Sequence, residues 1–178
     1  STLTHCTKLK ILSIHKVDLH NCLLKISKFT GLTNLDLSEV TLSNNCDKFG
    51  TILIHCIKLE RLRIRKTNFH NFLLDISNMT ELKTLDMSEV TLSSSCCDAL
   101  GRTLTHCTML EKLTTYNTDL HNCLLDLSNM TKLKDLDMLG VTMSSSCCDV
   151  LGSTLTHCTK LEKLKIHNTN LHNCLLDL

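Results

Sequence analysis

The amino-acid sequence predicts an α/β solenoid of stacked units, on the basis of one short pattern and the interval at which it returns. The pattern is a leucine, two residues, a leucine, one residue and a further apolar residue. It opens seven times, at Leu9, Leu32, Leu59, Leu82, Leu110, Leu133 and Leu161. The openings are separated by 23, 27, 23, 28, 23 and 28 residues, so two alternating units form a super-repeat. A fixed period of this length is typical of a leucine-rich-repeat solenoid, a horseshoe with a parallel concave β-sheet and convex helices that alternate with short turns.

Composition agrees with a single repeat domain over residues 1–178. The chain has no Trp or Pro and only one Tyr, so aliphatic side chains carry the burial, as stacked repeats require. The formal net charge is +1, which provides no overall field for nucleic acid. No stretch approaches the roughly 20 apolar residues of a membrane helix. We therefore expect neither nucleic acid nor membrane among the partners.

The two ends of the sequence fall inside repeat units. Residues 1–6 repeat the text of residues 153–158, and residues 172–178 repeat that of 121–127. Repeat arrays normally finish in caps with a polar outer face. We therefore expect an uncapped fragment of a longer parent chain, with flanking domains among its partners and some end-to-end self-association.

The residues of the unit that opens at Leu82 predict one strand. Leu85 and Met87 alternate with polar residues at period two, which indicates a strand with one buried face. Successive units place these strands side by side. Eight residues after each opening leucine the chain has Val or Thr, where many leucine-rich repeats have Asn or Cys.

Beyond the strand, the long and short units are expected to differ. In the long unit a Ser cluster that begins at Ser93 provides an N-cap, and Leu100 and Leu104 follow at helical spacing. This predicts a convex helix of about 9–11 residues. Gly101 and its copies Gly50 and Gly152 cost such a helix about 1 kcal/mol relative to Ala, so close packing against the next unit is expected there. The short unit, 121–131, has room only for one helical or 3₁₀ turn.

Twelve cysteines raise the question of disulfides or a metal. Cys22, Cys123 and Cys174 occupy one repeat position, and the remaining copy has Phe72. A position that accepts Phe is a buried apolar slot, and free Cys is among the most buried residue types. We therefore expect core cysteines, no disulfide and a reducing, cytoplasmic compartment.

Four His-Cys pairs, at residues 5–6, 55–56, 106–107 and 157–158, have the residue types of a zinc site. Equivalent pairs lie two units apart, which is at least ~10 Å for strands ~4.8 Å apart. They are therefore interpreted as repeated helix-end histidines, and no metal is expected. Phosphate loops, nucleophile elbows and metalloprotease motifs are also absent from the sequence, which predicts a non-enzyme without cofactors.

The residues that flank the strand leucines are expected to point outward from the concave sheet. Read at two, four and six positions after each opening leucine, they are Ile11/Ser13/His15, Asn34/Asp36/Ser38, Arg61/Arg63/Arg65, Thr84/Asp86/Ser88, Lys112/Thr114/Tyr116, Asp135/Asp137/Leu139 and Lys163/Lys165/His167. Short units tend to present basic rows, and long units acidic or hydroxyl rows.

Two interpretations of this pattern remain open. Neighbouring strands can form a charge ladder that serves the fold alone. Alternatively, the face recognises a protein ligand, for which the candidate residues are Asp36, Arg61, Arg63, Arg65, Asp86, Lys112, Tyr116, Asp135, Asp137, Lys163, Lys165 and His167.

The units LKTLDMSEVTL at Leu82 and LEKLKIHNTNL at Leu161 resemble the ribonuclease-inhibitor-like class of leucine-rich repeats. Within that class the chain is similar to the C-terminal repeat domain of NOD-like innate immune receptors. The resemblance implies a cytosolic domain that senses ligands or restrains a neighbouring module.

Two alternatives are a substrate-recognition array of a ubiquitin-ligase adaptor and a secreted antigen binder. Secretion would make Asn78 and Asn129, each in an Asn-x-Thr pattern, acceptors for glycans.

Overall fold

Seven short parallel strands form one sheet in the computed structural model, which describes residues 6–19, 29–41, 53–69 and 74–169. The sheet runs in the order β1-β2-β3-β5-β7-β8-β9. In chain order the elements are β1 (Ile11–Ser13), β2 (Asn34–Asp36), β3 (Arg61–Arg63), β4 (Asn68–Phe69), β5 (Thr84–Asp86), β6 (Thr91–Leu92), α1 (Ser94–Leu104), β7 (Lys112–Thr114), β8 (Asp135–Asp137), α2 (Ser145–Leu155) and β9 (Lys163–Lys165). A second, two-stranded sheet pairs β4 with β6.

The register of the sheet follows the leucine pattern. Every strand of the seven-stranded sheet begins two residues after an opening leucine, and its central leucine pairs with the central leucine of the next strand. Leu35, for example, faces Leu12 on one side and Leu62 on the other. The predicted leucine-rich-repeat solenoid, with its parallel sheet, is therefore confirmed.

The core is a continuous stack of aliphatic side chains behind the sheet. The opening leucines from Leu32 to Leu133 are completely buried, as are Leu85 and Leu136. Burying one such side chain stabilises a fold by about 1.5–3 kcal/mol. Since each unit buries its leucines against the units before and after it, the register of the strands is fixed by the core.

The long units carry the predicted convex helices. α1 and α2 each span 11 residues, and the Oγ atoms of Ser93 and Ser144 accept hydrogen bonds from the backbone N–H groups of Cys96 and Cys147. These serines satisfy one of the free N–H groups of the first helical turn, as expected of an N-cap. The corresponding segment after β2, together with Gly50, lies largely outside the described residues.

The short unit between α1 and α2 differs from expectation in one detail. Residues 121–131 contain turns at 121–122 and 128–129 but neither an α-helix nor a 3₁₀-helix. The backbone N–H of Cys123 closes the first turn on the carbonyl of Leu120, at 2.9 Å. This bond joins residues three apart, as in a single 3₁₀ turn, but it is not continued into a helix. Gly101 of α1 lies directly against the backbone of Leu124, just beyond the turn.

Each unit also has a left-handed residue seven positions after its opening leucine. These residues are Lys16, Glu39, Lys66, Glu89, Asn117, Gly140 and Asn168, with φ between 49° and 72°. They reverse the chain at the end of the strand. The following residue is Val or Thr, and where it is Thr67 or Thr118 its hydroxyl donates to a backbone carbonyl of the preceding unit, that of Leu37 or Met87, at 3.0 and 2.7 Å. The threonine hydroxyl thus ties consecutive units together from inside the core.

The cysteines of the described residues are unpaired, and all of them except Cys6 are buried. Burial raises the pKa of the Cys56 and Cys96 thiols to about 11 and that of Cys107 to about 12. The expected core role is confirmed for these residues. Cys22, Cys46, Cys174 and Phe72 lie outside the described part of the chain.

His106 and His157 are exposed just beyond the ends of α1 and α2, as predicted for repeated helix-end histidines. Within the described ranges, no three His, Cys, Asp or Glu side chains are placed to hold a metal ion. None of the helices described is long and apolar enough to cross a membrane.

Candidate functional site

The outward residues of the seven strands form a single polar surface, which we call the concave face. In β3 the central Leu62 is buried, whereas Arg61 and Arg63 on either side of it are exposed. The residue two positions beyond each strand lies on the same side, since Arg65 reaches Asp86 of the next unit. All the candidate residues named from the sequence lie on this face.

The first half of the concave face is a charge ladder centred on Arg63. Arg63 pairs in register with Asp36 on one side and Asp86 on the other, as the repeat pattern predicts. Its guanidinium lies 3.2 Å from Asp36 Oδ2 and 3.6 Å from Asp86 Oδ2. Arg65 Nε is 3.2 Å from the same Asp86 oxygen, and His15 Nε2 is 3.3 Å from Asp36 Oδ2.

Serines hold these carboxylates in place. The Ser38 hydroxyl donates to Asp36 Oδ1 at 2.6 Å, and the Ser88 hydroxyl donates to Asp86 Oδ1 at 2.7 Å. One oxygen of each carboxylate is therefore committed to its own unit, and the other faces Arg63. Burial alone would raise the pKa of Asp36, but the hydrogen bonds from Ser38 and Arg63 and the charge of His15 hold it below its usual value.

A second ladder occupies the other half of the concave face. Lys112 Nζ lies 2.6 Å from Asp135 Oδ2, and Lys165 Nζ lies 2.9 Å from Asp137 Oδ2. The hydrogen bond to Asp137, together with its charge, raises the pKa of Lys165. Tyr116 is half-buried between the two ladders, six positions after Leu110.

Three candidate residues lie on the concave face without an ion pair. Arg61, Lys163 and His167 are exposed, and none has a carboxylate within 4 Å among the described residues. Arg61 stands between Asn34 and Thr84 in the sheet register, so its neighbours on both strands are neutral. Lys163 stands beside Asp135.

The ladder interpretation of the sequence pattern is therefore confirmed as geometry. Its energetic importance is modest, because exposed ion pairs contribute about 0–1 kcal/mol each. The aspartates are nevertheless only 12–18% exposed as side chains, so removal of their cations would leave poorly solvated charges. The ladder does not exclude the interpretation that this face recognises a protein, because Arg61, Lys163 and His167 take no part in its ion pairs.

Sequence reasoning missed a third charge ladder, which lies on the flank of the sheet and not on the concave face. One position after each opening leucine the residues are Lys10, Thr33, Glu60, Lys83, Glu111, Lys134 and Glu162. Glu60 pairs with Lys83 at 3.0 Å, and Glu111 pairs with Lys134 at 2.9 Å. The aligned repeats contain this alternation of sign, so it could have been predicted from the residue directly after each opening leucine.

Two polar atoms on the concave face have no hydrogen-bond partner among the described residues. Thr114 Oγ1 and Asp135 Oδ1 are buried and take part in no hydrogen bond there. They lie on the adjacent strands β7 and β8, and Thr114 is two residues before Tyr116. No pattern in the sequence distinguishes them, because their lack of partners depends on side-chain packing.

A shallow groove crosses β1, β2, β3 and β5 in the first half of the concave face. Its volume is about 160 Å³, and Arg61 lies among its lining residues together with Ile11, Asn34 and Thr84. Asp36 and Arg63 line both this groove and a second one of about 230 Å³ at the strand ends, which also includes Arg65. The candidate site is thus a continuous depression with charged walls.

Among solved structures, the chain is similar to three bacterial proteins at low identity. An internalin (inlF) from Listeria monocytogenes is 15% identical, with a TM-score of 0.40, over 99% of this chain and 61% of that one. The functional domain of InlJ from Listeria monocytogenes, described as including a cysteine ladder, is 20% identical, with a TM-score of 0.45, over 94% and 41%. A leucine-rich-repeat protein of Leptospira interrogans is 12% identical, with a TM-score of 0.44, over 94% and 57%.

The chain thus spans between 41% and 61% of the length of these structures. No family model matches the sequence, and neither does any curated protein. The fold is defined by the chain's own seven-stranded sheet.

Proposed function

We propose that this chain is a protein-interaction module and that its concave face binds the partner. The observation that carries the proposal is that two buried polar atoms on neighbouring strands of this face, Thr114 Oγ1 of β7 and Asp135 Oδ1 of β8, have no hydrogen-bond partner among the described residues. Buried polar atoms normally have a partner, so two without one on the same face favour a ligand or bound water there. Tyr116, which is half-buried two residues beyond Thr114, is of a residue type enriched at the energetic centres of protein interfaces.

The more specific proposal is a sensing or autoinhibitory domain of a cytosolic innate immune receptor. It is supported by the resemblance of the units at Leu82 and Leu161 to that class, and by thiols that are buried and unpaired. Cysteines of this kind suit a reducing compartment. In this proposal other domains of a receptor are additional partners of the repeat array, and copies of the array can associate with one another.

A secreted binder is the second candidate, because both potential glycan acceptors are accessible. Asn78 and Asn129 are exposed, and so are Thr80 and Thr131 that complete their motifs. Expression of the chain through a secretory pathway, followed by mass spectrometry of the two peptides, tests this candidate. Glycan mass on native protein from its source would favour secretion over the cytosol.

The concave-face proposal is tested by site-specific photo-cross-linking. A benzophenone amino acid is placed at Tyr116 on the concave face or at Arg102 on the exposed side of α1, and extracts of the source organism are illuminated with each variant. The proposal predicts a discrete adduct from position 116 that is missing from position 102. The same adducts from both positions, or adducts from position 102 alone, would contradict it.

A further inference from the structure

We propose that the groove around Arg61 is an anion subsite that takes a carboxylate from an acidic, partly apolar peptide segment of the partner. The inference rests on the proposed binding function and specifies the chemistry of what is bound. Arg61 differs from the two other arginines of its unit, Arg63 at the end of β3 and Arg65 in the turn that follows.

Arg63 and Arg65 are committed to the fold, and Arg61 is not. Both paired arginines lie within 3.6 Å of Asp86, and Arg63 also contacts Asp36. The Arg61 guanidinium has neither an ion pair nor a side-chain hydrogen bond within the described parts of the chain. Glu60, its neighbour in sequence, is engaged on the flank by Lys83, at 3.0 Å.

The repeat explains why Arg61 lacks a carboxylate. Lys112 at the equivalent position of a later short unit is paired, because the next long unit supplies Asp135. The long units on the two sides of Arg61 have Asn34 and Thr84 at that position instead. The carboxylate that completes this row elsewhere is therefore missing beside Arg61, and a carboxylate from a partner can take its place.

The positive charge of Arg61 is not compensated by a carboxylate in the groove. The four charged lining residues are Asp36, Asp86, Arg63 and Arg61. Each aspartate already accepts a serine hydroxyl on one oxygen and an arginine on the other. With Arg65 counted beside Arg61 and Arg63, three arginines face the two carboxylates, so Arg61 is the cation without a carboxylate and an incoming carboxylate displaces no internal ion pair.

The neutral lining residues define the rest of the ligand. Ser13, Asn34 and Thr84 provide hydrogen-bond donors and acceptors for a peptide backbone, and Ile11 is 61% exposed at the edge of the groove. Ile11 lies two strands from Arg61 in the register, which is ~10 Å for a spacing of ~4.8 Å. An extended peptide advances ~3.3 Å per residue and every second side chain lies on the same face, so an apolar side chain two or four positions from the acidic residue, ~7 or ~13 Å away, can reach Ile11 while the carboxylate meets Arg61.

The test uses a displayed library of random eight-residue peptides selected on the full chain. Wild-type protein is the bait, and Arg61→Gln is the counter-selection bait. The inference predicts enrichment of Asp or Glu with an apolar residue two or four positions away, on the same face of an extended peptide. The best peptide and its amide counterpart, with Asp→Asn or Glu→Gln, are then synthesised for fluorescence anisotropy.

The binding constants form a double-mutant cycle. On wild-type protein, the change from carboxylate to amide should weaken binding by about tenfold, as expected for loss of a charge-assisted hydrogen bond. On Arg61→Gln the same change should have little effect. Arg61→Lys should retain part of the preference, and Ile11→Ala should weaken both peptides equally. Arg102→Gln, which removes an exposed arginine of α1, is the matched control and should bind like wild type.

Several outcomes overturn the inference. These are a library without binders, enriched peptides without carboxylates, or equal losses with Arg61→Gln and Arg102→Gln. Peptides whose binding is weakened by Tyr116→Ala but not by Arg61→Gln would overturn the Arg61 subsite and leave the concave-face proposal standing. Peptides insensitive to both variants would overturn the two proposals together.

Discussion

Gly101 in α1 lies against the backbone of Leu124 in the following short unit. A Cβ added at Gly101 would come within 2.6 Å of the Leu124 carbonyl oxygen and 3.3 Å of its carbonyl carbon. The contact involves backbone atoms, which cannot be relieved by a change of side-chain rotamer. The glycine that weakens the helix in isolation is therefore the residue that allows long and short units to stack closely.

Gly101→Ala should destabilise the fold despite its benefit to the helix. Alanine gains about 1 kcal/mol of helix propensity, but the clash forces α1 away from residues 120–127, and we expect a net loss of about 1–3 kcal/mol. Urea unfolding followed by circular dichroism measures the change. Arg102→Ala, on the exposed side of the same helix, should stay within about 0.5 kcal/mol of wild type. A stabilised Gly101→Ala variant would show that the two units are not in contact in solution.

The three arginines of the concave face should differ in their effects on stability. Arg61→Gln removes no ion pair or side-chain hydrogen bond to the described residues and should leave the free energy of unfolding within about 0.5 kcal/mol of wild type. The double variant Arg63→Gln/Arg65→Gln strips Asp86 of both its cations. Asp86 is only 9% exposed, so we expect a loss of about 1–2 kcal/mol. Equal losses for the single and double variants would contradict this division between fold and site. A variant with all three arginines replaced would combine the two effects, so Arg61→Gln alone is the cleaner probe of binding.

Acid should remove a contribution that depends on Asp36. Its pKa is lowered in the folded chain from an unfolded value near 3.8, so its ionised form stabilises the fold at every higher pH. The contribution is lost as the pH falls below about 4 and through the folded pKa. Urea midpoints measured between pH 2.5 and 6 should therefore fall less steeply below pH 4 for Asp36→Asn than for wild type. Parallel curves would mean that Ser38 and Arg63 do not hold the carboxylate.

The sequence predicted the parts of this molecule that depend on repetition. The strand register, the serine caps of α1 and α2 and the position of Arg63 between Asp36 and Asp86 all follow from aligning units of known period. Packing between units is less accessible to this reasoning. The close approach of Gly101 to the Leu124 backbone, for example, is not specified by the period.

The position of the candidate site was predicted from the sequence, but the difference between its paired and unpaired arginines was not. The sequence identified the face and its rows of charge, but it named Arg61, Arg63 and Arg65 alike as partner-binding candidates. Their difference arises from Asp86, which accepts only the latter two, and from the neutral strand neighbours of Arg61. The unpartnered Thr114 Oγ1 depends on packing alone and leaves no signal in a single sequence.

The left-handed residue of each unit leads to a prediction that sequence propensity alone would not make. Asn117 has φ 49°, a region that Asn and Gly tolerate and β-branched residues do not. Asn117→Val should cost about 1–2 kcal/mol, whereas Asn117→Gly should be nearly neutral. Lys160→Val, at an exposed position outside the left-handed region, controls for the introduction of a β-branched apolar side chain. Chemical unfolding separates the three variants, and equal stability of Asn117→Val and Asn117→Gly would count against the turn geometry.

Thiol reactivity should report how tightly the units are stacked. The reactive form of a cysteine is the thiolate, and burial raises the pKa of Cys107 to about 12 and that of Cys56 to about 11. Cys6, in contrast, is exposed. Brief treatment of the native chain with iodoacetamide at pH 8, followed by peptide mass spectrometry, should therefore modify Cys6 well before Cys56 or Cys107. In urea above the unfolding midpoint the three sites should react at similar rates. Comparable native rates at Cys6 and Cys107 would mean that the interior opens faster than the continuous leucine core allows.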